Sequence, residues 1–109
     1  IGIRKVFYEE SDVIDPRKYL GEARNIIKEV VRKYGNIEKG GNMSCKNNKG
    51  FYITCRNVNK ADLKESDLSW IENVLFDEND SVYSQVNYHS VLKPSIDSTI
   101  HSEIYRYSE

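Results

Sequence analysis

The sequence predicts one domain in which helices pack on a mainly antiparallel sheet, as an α+β or a three-layer α/β/α unit. Three observations lead there. A long stretch near the N-terminus repeats its apolar residues at three- and four-residue steps. Two strand-like runs flank the turn Asn47-Asn48-Lys49-Gly50. A further pair of strand-like runs precedes a proline loop and a second helical pattern.

The elements follow in chain order. Ile3 to Tyr8 is an apolar-aromatic segment, followed by the acidic turn Glu9 to Asp12. Asp15 then stands as a candidate N-cap with Pro16 as a first helical residue. Tyr19, Leu20, Ala23, Ile26, Ile27, Val30, Val31 and Tyr34 fall on one helical face. Gly35 closes that helix, and Arg32 and Lys33 in its last turn complement the helix dipole. After Gly40-Gly41 come a strand at Asn42–Lys46 and a strand at Phe51–Cys55, which form a hairpin with Cys45 facing Tyr52 and Lys46 facing Phe51. Asp62 to Leu68 holds one helical turn. Trp70 to Phe76 reads as a strand, and the turn Asp77-Glu78-Asn79-Asp80 ends it. Val82 to Tyr88 alternates as a half-exposed strand. Pro94 breaks the chain, and Ser98 to Tyr107 is helical, with Ile100, Ile104 and Tyr107 on one face.

With 109 residues the chain makes one domain, residues 1–109, with a core of its own. Its 39% hydrophobic and 30% charged content is that of a folded globular protein. A net charge of −1 supplies no global field for nucleic acid or an anionic membrane, so neither is expected as a partner. No apolar run approaches the roughly 20 residues of a membrane span, and no secretion signal opens the chain. A cytoplasmic location is therefore expected. Cys45 and Cys55 are too far apart in the hairpin to bridge, which makes them reduced thiols. Asn42-Met43-Ser44 and Asn79-Asp80-Ser81 fit the glycosylation pattern by chance. The chain begins with Ile1, as a processed or trimmed product does, and its last helix ends with nothing after it to cover its outer face, as in half of a domain.

Two segments carry the chemistry. Gly40-Gly41-Asn42-Met43-Ser44 is a glycine turn releasing an Asn and a Ser into a strand. Lys93-Pro94-Ser95-Ile96-Asp97-Ser98-Thr99-Ile100-His101 puts a hydroxyl and a carboxylate before a helix start. Loops of this kind, where backbone N–H groups and short polar side chains converge, hold phosphates and enolates. The plainer readings are a turn into a hairpin, a capped helix and a satisfied His101 in the first turn.

In this order, about fifty residues apart, the two segments resemble the class II aldolase/adducin family. Its pattern is Gly-Asn-hydrophobic-Ser, then Ile-Thr, then Lys-Pro-Ser-Ser-Glu-x-x-x-His. The resemblance runs from Leu20 onward. It implies a three-layer α/β/α domain, incomplete at its C-terminus, and a zinc-dependent lyase that cleaves a small phosphorylated sugar or carbonyl compound through an enediolate. Related epimerases and dehydratases share the scaffold. By resemblance Asn42, Thr54 and Ser95 bind the substrate anion, and Asp97 stands where the family has its catalytic Glu. Ser44 is structural, and His101 matches a His that is not itself a metal ligand. A homo-oligomer is implied as well.

The departures are specific. After Ile53-Thr54 the family has a glycine turn offering N–H groups to phosphate, whereas this chain has Cys55-Arg56-Asn57, which makes Arg56 the substitute anion ligand. The second Ser of the pair is Ile96, and Asp97 is one methylene shorter than Glu. The family's zinc ligands, a His-x-His pair and a third His, lie downstream of the Lys-Pro-Ser region and are expected beyond Glu109. His89 and His101 are the only imidazoles here. The alternative expectation is a non-catalytic, adducin-like binding or scaffold protein.

Overall fold

A computed structural model describes residues 5–10, 19–34, 41–47, 50–76 and 83–107. Among the described residues seven strands and α-helices follow one another: β1 (Lys5–Glu10), α1 (Leu20–Tyr34), β2 (Ser44–Lys46), β3 (Phe51–Thr54), β4 (Leu68–Phe76), β5 (Tyr83–His89) and α2 (Ser98–Tyr107). The expected Asp15 cap, Pro16, Gly35 and the 77–80 turn lie outside the described residues. The five strands form one sheet in the order β1-β5-β4-β3-β2. β2 through β5 are antiparallel neighbours, and β1 adds to the edge of β5 in parallel. The mainly antiparallel expectation holds, with that one parallel edge. What had read as the start of an acidic turn, Glu9 and Glu10, continues strand β1.

The hairpin has the register expected of it. Cys45 pairs with Tyr52 and Lys46 with Phe51. Asn47 N–H bonds the Gly50 carbonyl at 3.0 Å, and Gly50 N–H bonds Asn47 Oδ1 at 2.8 Å, which closes the turn. The β2 strand starts at Ser44, two residues later than expected. Met43 is joined to Thr54 partly through a side chain, Met43 N–H donating to Thr54 Oγ1 at 3.1 Å. The single helical turn expected at 62–68 is instead two short 3-10 turns, Lys60–Asp62 and Glu65–Asp67, and β4 begins at Leu68. Asn59 caps the first of them with a side-chain oxygen on Ala61 N–H.

All four residues of β3 are buried, because apolar groups cover both of its faces. Tyr52 belongs to a cluster with Ala23, Ile27 and Val31 of α1 and with Leu63, Leu68 and Trp70. Phe51 and Ile53, pointing the other way, join Ile71 and Val86, against which Val6, Tyr8, Val74, Tyr88 and Tyr105 of α2 pack. A register shift between Ile71 and Asn73 inserts Glu72 into β4. That bulge reverses the parity of the strand, so Val74 lands on the same side as Ile71.

The helices differ in how their apolar residues are used. In α1 the stripe Ala23, Ile27, Val31 is buried at four-residue steps, while Ile26 and Tyr34, and Tyr19 just before the helix, stay exposed. In α2 the line picked out by hydrophobicity faces outward. Ile100 is 56% and Ile104 60% exposed, and Tyr107 is more exposed still. Among the described residues no helix is long and apolar enough to cross a membrane.

Candidate functional site at the junction of the glycine turn and the second helix

The proline loop is fastened to the end of β3. Cys55 and Pro94 form an isolated antiparallel bridge, flanked by Arg56 N–H to the Lys93 carbonyl at 3.1 Å and Ser95 N–H to the Thr54 carbonyl at 3.1 Å. Proline has no N–H to give, and the bridge uses the Lys93 carbonyl before it as an acceptor and the Ser95 N–H after it as a donor. Ser95 is buried, and its Oγ accepts the Asp97 N–H at 3.1 Å. The Asp97 carbonyl then takes Ile100 N–H and His101 N–H, so the helix starts from Asp97 with its side chain free for other work.

That side chain meets the glycine turn. Gly41 adopts φ 72°, a left-handed conformation that favours glycine, and the turn brings Asn42 toward the helix. Asn42 Nδ2 donates to Asp97 Oδ2 at 2.5 Å. The other end of the same amide, Oδ1, contacts His101 Nε2. His101 Nδ1 lies 2.7 Å from Ser44 Oγ, which lies 2.6 Å from the Tyr105 hydroxyl. Five side chains thus form one hydrogen-bonded row, Asp97–Asn42–His101–Ser44–Tyr105. Burial pushes the His101 imidazolium down from its ordinary pKa of 6.5, while the Asp97 carboxylate pulls the other way.

Two basic residues brace this junction. Arg56 Nε donates to the Pro94 carbonyl at 3.0 Å, and its guanidinium stands 4.7 Å from the Tyr8 ring centre. Lys60 is buried and its ammonium donates to the Gly41 carbonyl at 3.2 Å; burial lowers its pKa. Of the residues singled out from the sequence, Asn42 and Asp97 touch each other. Thr54 is buried and holds Met43 N–H. Ser95 turns its oxygen to the Asp97 backbone, and Arg56 reaches the proline loop from the strand side. Ile96, in place of the family's second Ser, is exposed. Sequence reasoning passed over Tyr105, Lys60 and the joint role of Ser44 and His101. The spacing Asp97, His101, Tyr105, four residues apart each time, was the available signal.

Among the described residues no group of three or more His, Cys, Asp or Glu side chains stands close enough to hold a metal ion. His101 has both ring nitrogens engaged in the row. These residues do not fit a zinc site. The thiols are free: Cys45 is half-buried and Cys55 buried, with burial pushing the Cys55 pKa up to about 12.

The glycine turn, the Ile-Thr strand end and the proline loop with its carboxylate are thus brought together at one end of the sheet. The chain belongs to the class II aldolase and adducin family, matching the Class II Aldolase and Adducin N-terminal domain over residues 25–109. It is also similar to fructose-bisphosphate aldolase from two strains of Staphylococcus epidermidis, each 50% identical over 40 residues, 37% of this chain. The chain spans 13% of the length of those curated relatives. No solved structure matches it significantly.

Proposed function

We propose that the chain carries the anion-binding and proton-moving part of an aldolase-like lyase site, acting on a small phosphorylated or hydroxylated carbonyl compound. One observation carries the reading: the two segments with the family pattern are in direct contact through Asn42 and Asp97. In this reading Asp97 moves the proton, and Asn42 and Arg56 bind the anion with their remaining N–H groups. Thr54 and Ser95, buried as they are, contribute by holding the Asn42 turn and the Asp97 backbone in place, and offer their hydroxyl protons to the anion. The reading includes a three-layer arrangement, supported by the alternate residues of β3 that serve clusters containing α1 and α2. It also includes a homo-oligomer in a reducing, cytoplasmic setting, with neither nucleic acid nor membrane as partner. Zinc and its enediolate chemistry belong to the family. Its ligands have to come from residues other than those described.

A second reading is favoured by specific features. Asn42 and Asp97 satisfy each other, Ile96 donates nothing, and Cys55-Arg56-Asn57 replaces the glycine turn. An adducin-like scaffold that keeps the fold without the chemistry fits those three facts.

Titration with inorganic phosphate and with dihydroxyacetone phosphate, followed by amide NMR, separates the two. The lyase reading expects saturable shifts at Asn42, Arg56 and Ser95 that weaken about tenfold or more in Arg56→Ala, the loss of a charge-assisted contact. Absence of any shift at millimolar ligand favours the scaffold.

A further inference from the structure

An asparagine amide has two ends of nearly equal size and opposite hydrogen-bonding character. Which end of Asn42 faces Asp97 decides whether that contact is an N–H donor on a carboxylate or an oxygen pressed against another oxygen. We infer that His101 is a positioning residue that sets the orientation of the Asn42 amide, and that Ser44 and Tyr105 in turn set the His101 tautomer able to do so. The inference rests on the reading of Asp97 as the proton carrier only for its functional meaning; the geometry stands independently.

The polarity of the row follows link by link. The Asp97 carboxylate only accepts, so the Asn42 end at 2.5 Å from Oδ2 is the NH2. The opposite end of the amide is then its carbonyl oxygen, which requires a donor. His101 Nε2 meets it and must carry the proton. In a neutral imidazole the other nitrogen is an acceptor. Ser44 Oγ–H therefore donates to Nδ1, and the Ser44 oxygen accepts the Tyr105 O–H. Each group is used once as required, and the opposite tautomer would leave Nε2 and Oδ1 as two acceptors in contact. Desolvation, which favours the uncharged ring, acts in the same direction.

The arrangement also says what survives protonation. A charged His101 still donates from Nε2, so the Asn42 orientation persists. Only the outer links reverse, Nδ1–H donating to Ser44 and Ser44 to Tyr105. Among the described residues, the charged and titratable groups facing the ring are Asp97, just before α2, and Tyr105 of α2, with Lys46 of β2 over the Tyr105 ring at 6.0 Å. None of them competes for Nε2.

The test needs no substrate. Long-range proton–nitrogen correlation spectra of the whole chain read the His101 tautomer, and exchange of the Asn42 side-chain NH2 reads its protection. The expected result is a single Nε2–H tautomer and a protected NH2 whose protection is unchanged as His101 titrates. His101→Leu should raise the NH2 exchange rate about tenfold or more through local opening, and His101→Gln, which restores an N–H donor, should recover most of the protection. Ser44→Ala keeps the imidazole in place and should give a mixture of tautomers. An Nδ1–H tautomer in the unmodified chain overturns the inference, as does unaltered Asn42 protection in His101→Leu with the remaining amide spectrum preserved. If His101→Leu does not fold, the unmodified chain and Ser44→Ala decide it. Failure of phosphate or dihydroxyacetone phosphate to bind would remove the lyase reading and leave this result standing.

Discussion

Asn42 and Asp97, 55 positions apart in sequence, touch through a single hydrogen bond of 2.5 Å that joins the glycine turn to the residue just before α2. Removing the amide takes a partner from both a half-buried carboxylate and His101. Asn42→Ala should cost about 1–3 kcal/mol, the usual penalty for stranding part-buried polar groups. Urea unfolding of the variant against the parent measures it. An unchanged midpoint would mean that the row contributes nothing to stability.

Gly50 tolerates no side chain for a different reason. A Cβ built there would lie 2.1 Å from the Ile71 carbonyl oxygen of the neighbouring strand and 3.2 Å from Trp70 Nε1. Gly50→Ala must push β3 and β4 apart or distort the turn, and should destabilise by about 2 kcal/mol or more. A thermal melt reads this directly, and a gain in melting temperature would contradict the close approach.

His101 gives stability a dependence on pH with a definite sign. Burial lowers its folded pKa below the ordinary 6.5, so the unfolded chain binds a proton more readily. This group's contribution is therefore complete above about 6.5, falls as pH drops through that value, and levels off below the folded pKa. The difference in urea midpoint between pH 7.5 and 5 should be smaller in His101→Gln than in the parent. Equal differences would mean that His101 titrates alike in both states.

The two thiols should be slow to react while the chain is folded. Burial raises the pKa of both, and Cys55 reaches about 12 with its thiol directed at the Leu92 carbonyl. Iodoacetamide at pH 8 should modify Cys45 before Cys55, and Cys55 only after denaturant is added. Counting adducts by intact mass, with peptide mapping, checks the order.

How much of this was legible beforehand depends on what each pattern encodes. Hairpin register followed from the turn Asn47–Gly50, because local turn chemistry fixes strand pairing. The span of α2 was also legible, Pro94 setting its start. Its orientation was not. Ile100 and Ile104 marked an apolar face, whereas Asp97, His101 and Tyr105, at the same four-residue spacing, are the residues that turn inward. Periodicity identifies stripes, and hydrophobicity chooses between them only when polar groups have no partners of their own. Here Ser44 and Asn42 supplied those partners from a distant segment, which no local window contains. The parallel pairing of β1 was hidden for the same reason: strand character is local, and the identity of the neighbour is not.

That pairing orders the assembly of the chain in time. Lys5 lies beside Tyr83, so β1 pairs with a strand that comes after α1, β2, β3 and β4 in the chain. The β2–β3 hairpin and the adjacent β4–β5 pair close short loops and can form early, whereas β1 closes the longest one. Loop-closure entropy therefore favours β1 as the last strand to dock, and the edge of β5 would stay open to other extended segments until it does.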